Sequence, residues 1–236
     1  EAAVAKRVVA FRDVCLKNEV YPIHIMWESG WWESLKSLIA DKLTDADPRA
    51  QGWWQKFREG LQEAWDRTFE LTVAAAGSAL WGEMKENAAA ASTQADGGMR
   101  LLVKHARAAM DKLDKAKAAK WELHVVGHSA GSIFAAHALE PLSKLGVNFK
   151  TLQFMAPAIR IDEFKKLMLP RIKNGTCPNP TMYLLSGQGE LDDTVGPYRK
   201  SLLYLVSNAF EGKRGVPLLG MQPVSYTHLR AHETLR

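Results

Sequence analysis

The sequence predicts an α/β protein with a doubly wound, mostly parallel sheet, and three observations carry that expectation. Short apolar runs alternate along the chain with longer stretches of helical apolar period, the order in which helices wind around parallel strands. The run Leu123-His124-Val125-Val126 leads at once into Gly127-His128-Ser129-Ala130-Gly131 and then into the alanine-rich Ser132–Leu139, so a strand passes through a tight turn into a helix. Finally, 236 residues with 47% hydrophobic and 24% charged content suffice to bury one sizeable core.

The elements follow in order. Residues 2–17 carry a helical period through Val4, Val8, Val9, Phe11, Val14 and Cys15. Residues 20–27, Val-Tyr-Pro-Ile-His-Ile-Met-Trp, read as a buried strand, with Pro22 near its start where a missing N–H is tolerable. From 28 to about 120 the pattern is helical and rich in tryptophan (Trp31, Trp32, Trp53, Trp54, Trp65, Trp81), with breaks at Asp45-Ala46-Asp47-Pro48 and Ala95-Asp96-Gly97-Gly98. At helical spacing these tryptophans read as packing residues. A helix over 99–119 delivers the chain to a strand at 121–126. Beyond the glycine-flanked turn come a helix at 132–145, a strand at 149–155, a short helix at 161–169, a strand at 181–185 and a helix at 198–210.

Composition excludes several function classes. The net charge of +5 is modest, and Lys112, Lys115, Lys117 and Lys120 read as a solvated helix face, not a nucleic-acid patch. Cys15 and Cys177 show neither metal-ligand spacing nor a disulfide framework, which favours a reducing compartment such as the cytoplasm. No apolar run reaches membrane-spanning length, so no integral membrane segment is expected. There is no G-x-G-x-x-G, no P-loop and no metal-ligand cluster, so neither cofactor nor metal is expected.

Both ends read as foreign to a complete domain. Glu1 stands directly inside the first helical pattern, as if the N-terminus had been cut. Residues 224–234, Val-Ser-Tyr-Thr-His-Leu-Arg-Ala-His-Glu-Thr, resemble one reading frame of a sequencing adapter, so 223–236 are expected to be a non-native tail. His228 and His232 are set aside for that reason.

Gly127-His128-Ser129-Ala130-Gly131 is a G-x-S-x-G in the strand–turn–helix context of a nucleophile elbow, where a strained turn raises the serine Oγ above the sheet. Small residues two before and two after the serine let strand and helix approach. The plainer alternative is a serine capping a helix N-terminus.

With this motif, residues 1–222 resemble the α/β-hydrolase superfamily in its serine esterase and lipase-like part. The resemblance implies that 20–27, 121–126, 149–155 and 181–185 are the fourth to seventh strands of an eight-stranded sheet, and that 28–120 is a helical insertion or lid. The first three strands, the eighth strand and the histidine loop after it have no counterpart, so the sheet is expected to be incomplete. The third strand of that fold lies between the fourth and fifth, so a gap or a substitute pairing is expected beside 121–126.

The resemblance also assigns roles. Ser129 is the nucleophile, the Ala130 N–H is one half of the oxyanion hole, and the acid follows the seventh strand within residues 186–197. Asp192 fits a D-x-x-V spacing, Asp193 is its neighbour in the same turn, and Glu190 comes after them; the sequence does not separate the first two. The histidines His24, His105, His124, His128 and His137 all precede the acid, so none stands where the base belongs in the order serine, acid, histidine. The expectation is therefore a fragment of a serine hydrolase acting on ester-type bonds of a small hydrophobic acyl substrate, inactive as it stands. The alternative is a non-catalytic hydrolase-like domain that binds a lipid or protein partner through its helical lid.

Overall fold

A computed structural model describes residues 2–25, 34, 37, 62–196 and 198–221. Three strands, β1 (Glu122–His128), β2 (Asn148–Met155) and β3 (Pro180–Tyr183), form a parallel sheet in the order β1-β2-β3. In register, Gly127 lies beside Phe154, His128 beside Met155, and Met155 beside Tyr183. Parallel neighbours need crossover connections. The first crossover is a helix over Gly131–Ser143, and the second is a helix pair at Ile161–Leu167 and Leu169–Lys173. The fold is thus α/β, with a small open parallel sheet.

Alternation of side chains sorts the sheet into two faces. Leu123, Val125, Phe149, Leu152, Phe154 and Met182 belong to the hydrophobic clusters shared with the helices. On the opposite face His124, Val126, His128, Met155 and Tyr183 are exposed, Val126 at 59% and Tyr183 at 55%. Among the described residues the sheet is therefore covered on one face, where a doubly wound sheet was expected. Nor does β1 have a partner along its outer edge among them.

The helical elements named among the described residues are α1 (Ala2–Lys17), α2 (Gln62–Thr93), α3 (Gly98–Met110), α4 (Lys115–Ala118), α5 (the Gly131–Ser143 crossover), α6 and α7 (the second crossover pair), α8 (Gly187–Asp192), α9 (Leu202–Leu205) and a π-helical turn at Val206–Phe210. The 32-residue α2 places Phe69, Val73, Trp81, Met84 and Ala88 on one stripe in the core. It packs against α5 and the π-helical turn. Gly77 sits in that stripe because a Cβ there would lie 2.0 Å from the Phe210 ring. At Gly97 a Cβ would lie 2.4 Å from the Ala91 carbonyl oxygen, so glycine permits the reversal from α2 into α3 at the expected 95–98 break. Lys112, Lys115, Lys117 and Lys120 are exposed.

Several elements differ from expectation. Residues 20–25 form no strand, and 26–27 lie outside the described residues. Pro22 lacks a donor, and a β-rich pattern becomes a strand only when a neighbour accepts its backbone bonds. The 99–119 helix divides into α3 and α4, with Asp114 restarting the chain as an N-cap that accepts from Lys117 N–H at 2.8 Å. The 161–169 helix breaks at Met168 into α6 and α7. Over 198–210 the chain forms α9 and the π-helical turn, preceded by an isolated antiparallel bridge between Val195 and Tyr198. The 224–234 tail and Trp27, Trp31, Trp32, Trp53 and Trp54 also lie outside the described residues.

Candidate active site at the strand–helix elbow

Ser129 occupies the turn between β1 and α5 with φ +49°, a left-handed conformation that costs a non-glycine residue roughly 1–3 kcal/mol. Its backbone is held from several sides. The Ser129 N–H donates to the Met155 carbonyl at 2.9 Å. Its carbonyl accepts from Ser132 N–H at 3.1 Å, Ala158 N–H at 3.1 Å and Ser132 Oγ at 2.7 Å. Ser132 Oγ in turn accepts from Ile159 N–H at 3.1 Å. The fully buried Ser132 thus ties the elbow to the loop after β2, a role that no spacing rule in the sequence announces.

The two glycines of the motif act differently. A Cβ on Gly127 would lie 3.0 Å from the backbone of Gly131 and 3.1 Å from the Phe154 ring, so strand and helix cross closely there. A Cβ on Gly131 would meet nothing within 4 Å. Close approach therefore needs the first glycine; the expectation that both serve it is corrected. Ala130 is the N-cap residue of α5, and its N–H has no acceptor among the described residues. The serine hydroxyl and that N–H are groups of the turn able to engage a carbonyl: Oγ its carbon, N–H its oxygen.

The strained serine yields a test of the elbow by stability alone. Ser129→Gly relieves the positive φ whereas Ser129→Ala retains it, so the glycine variant is expected to be the more stable by about 1 kcal/mol. Urea unfolding midpoints compare the two. An alanine variant as stable as the glycine variant would show that the turn is not strained.

The acids after β3 fall in two environments. Asp192 ends α8, a helix not expected from the sequence, and its Oδ1 accepts from Gln188 Nε2 at 2.8 Å. Asp193 follows, its Oδ1 accepting from Thr194 N–H at 3.0 Å; both aspartates are exposed. Glu190 is fully buried. Its Oε2 accepts from Ser201 Oγ, while its Oε1 has no partner. Burial pushes this carboxyl above the ordinary range, and the neighbouring Asp193 charge pushes the same way.

No histidine is hydrogen-bonded to Ser129 or to these acids among the described residues. His24, His105, His124 and His128 are exposed, and His124 Nδ1 pairs with Thr151 Oγ1 at 2.8 Å. His137 is half-buried on α5, where desolvation lowers its pKa. The structure thus brings Ser129 and Ala130 together and supplies no base to them from the described residues. Nor do the described residues group three histidine, cysteine or acidic side chains so as to hold a metal ion. No helix among them is long and apolar enough to cross a membrane. The Cys177 thiol is buried and pushed up to about 11 by desolvation, which keeps it unreactive.

Three buried acids between α2 and residues 198–214 were not foreseen from the sequence. Glu70 on α2 accepts from Asn208 Nδ2 at 2.8 Å, Tyr198 OH at 2.9 Å, Arg214 Nε at 3.0 Å and Arg67 Nη1 at 3.3 Å. Glu211 accepts from Trp81 Nε1 at 2.5 Å and pairs with Lys85 at 2.7 Å and Arg160 at 3.5 Å. Asp66, one turn before Glu70, accepts from the Arg199 N–H at 3.3 Å and pairs with Lys200 at 3.5 Å. Each joins α2 to residues 198–214. Polar residues at helical spacing inside an apolar stripe were the available signal.

Compared with known proteins, the chain matches no family model, no curated protein and no solved structure.

Proposed function

We propose that the chain is part of a serine hydrolase of the α/β-hydrolase type that cleaves carboxylic ester-type bonds through an acyl-serine intermediate. The observation that carries this reading is Ser129 at φ +49° in a G-x-S-x-G turn between a parallel strand and a helix. A strained backbone at a non-glycine residue persists where the surrounding structure enforces it, and such strain clusters at functional sites. Ser129 Oγ would attack the ester carbonyl carbon while a base takes its proton, and the Ala130 N–H would donate to the developing oxyanion. The base would pass that proton to the departing alcohol, and water would then release the acid from Ser129. Asp192 or Asp193 would orient the base. The base itself would come from a histidine outside these residues, together with the second oxyanion donor.

A form of the protein extended at both ends should be labelled at Ser129 by a fluorophosphonate probe, and Ser129→Ala should abolish the labelling. The 236-residue chain alone should hydrolyse p-nitrophenyl esters no faster than its own Ser129→Ala variant, because the described residues supply neither a base nor a second donor, and lacking them costs several orders of magnitude, on the order of 10³ or more. Labelling that survives Ser129→Ala would overturn the assignment of the nucleophile. Turnover by the 236-residue chain that Ser129→Ala abolishes would overturn the missing base.

A further inference from the structure

The Glu190 carboxyl is 0% exposed, yet it has a single hydrogen-bond donor, the Ser201 hydroxyl on Oε2, while Oε1 faces none. Backbone bonds join the same two residues and close the segment around them. The Glu190 N–H donates to Ser186 O at 2.9 Å, Asp193 N–H to Gly189 O at 3.0 Å, and Ser201 N–H to Glu190 O at 2.8 Å. The charged group acting on the carboxyl is Asp193, just past α8, a like charge; from the other side, the segment leading into α9 contributes only the Ser201 hydroxyl. No lysine, arginine or histidine pairs with Glu190 among the described residues. An isolated buried carboxylate is far costlier than a buried neutral acid, whose unpartnered oxygen carries no net charge.

We propose that burial of the Glu190 carboxyl is a proton-dependent latch on the segment from Ser186 to Ser201, shut while Glu190 is a neutral carboxylic acid and loosened when it ionises, the Ser201 hydroxyl offsetting part of the cost of the ionised form. The loop that carries Asp192 and Asp193 is then ordered in mildly acidic solution and opens as the pH rises. The latch stands independently of any catalytic role for Ser129.

Amide hydrogen exchange on the 236-residue chain, corrected for intrinsic rates, tests it at two pH values. The Glu190, Asp193 and Ser201 amides should lose about tenfold or more of their protection between about pH 5 and about pH 8. The elbow amides of Ser129 and Ala158 should not follow. Glu190→Gln, neutral throughout, should keep the three amides protected at both values. Ser201→Ala removes the donor that favours the ionised form, so loosening should move to higher pH; this variant decides the matter if Glu190→Gln does not fold. Loosening that persists in Glu190→Gln, fails to occur in the parent chain, moves with the elbow amides, or is unshifted in Ser201→Ala overturns the latch.

Discussion

Trp81→Ala is expected to destabilise the protein by about 3–5 kcal/mol, the cost of emptying a large aromatic site in a packed core. Trp81 is 1% exposed and lies on the α2 stripe with Val73, Met84 and Ala88. Its indole N–H also donates to the Glu211 carboxylate, whose side chain is 1% exposed. The alanine variant therefore leaves both a cavity and a buried carboxylate with one donor fewer, held by Lys85 and Arg160. Domains of this size are marginally stable, at about 5–15 kcal/mol, so a substantial part of the margin goes. Trp81→Phe separates the two contributions, filling much of the volume without the N–H, and should fall between parent and alanine variant. Urea unfolding midpoints measure both. An alanine variant within about 1 kcal/mol of the parent would show that α2 is not part of the same cooperative core.

Glu70→Ala should cost a comparable amount, about 3–5 kcal/mol, because it removes one side of a buried charge cluster and strands its partners. Tyr198 OH is buried and is left without its carboxylate, and Asn208 and Arg214 lose theirs as well. The effect has a pH signature. Burial alone raises the Glu70 carboxyl, but hydrogen bonds from Arg214, Tyr198 and Arg67, with the Arg214 charge, outweigh it and hold the group below its ordinary range. With the folded pKa below the unfolded one, the unfolded chain binds more protons in the interval between them. The contribution is complete above the unfolded carboxylate range and is lost as pH falls through the folded pKa. Glu70→Gln should thus be clearly less stable than the parent at neutral pH, and the gap should close in acid. A gap independent of pH would assign the loss to packing instead of charge.

What the sequence disclosed follows from how local each feature is. The β-branched run before Ser129, the flanking glycines and the alanine-rich helix after it act over about ten residues, and β1, the elbow and α5 appear where their pattern puts them. Residues 20–25 have an equally β-like composition and no strand, since pairing depends on a neighbour that local pattern does not specify. The π-helical turn at 206–210 has the apolar content of an ordinary helix, and no local signal marks it. Within the candidate site, Ser129 and Ala130 were legible because a turn's strain is written in adjacent residues. Asp192, Asp193 and Glu190 share one short segment, and burial, which distinguishes Glu190, is set by residues around 201. The acids at 66, 70 and 211 resemble solvated charges until their distant partners are in place.

Those distant partners also set the order in which the molecule is able to form. The bonds from Glu70 to Asn208 and Arg214 span 138 and 144 positions, and Trp81 reaches Glu211 across 130. On a chain emerging from the ribosome, α2 appears well before residues 198–214, with an apolar stripe and with Asp66 and Glu70, whose partners other than Arg67 have not yet been synthesised. The β1–elbow–α5 unit is built from neighbours and can assemble sooner. Closure of the core onto α2 must wait for residues 198–214, so folding is expected to be slow. Until then the α2 stripe is a natural recognition site for a holding chaperone, and a chain broken off before residue 198 would leave it bare.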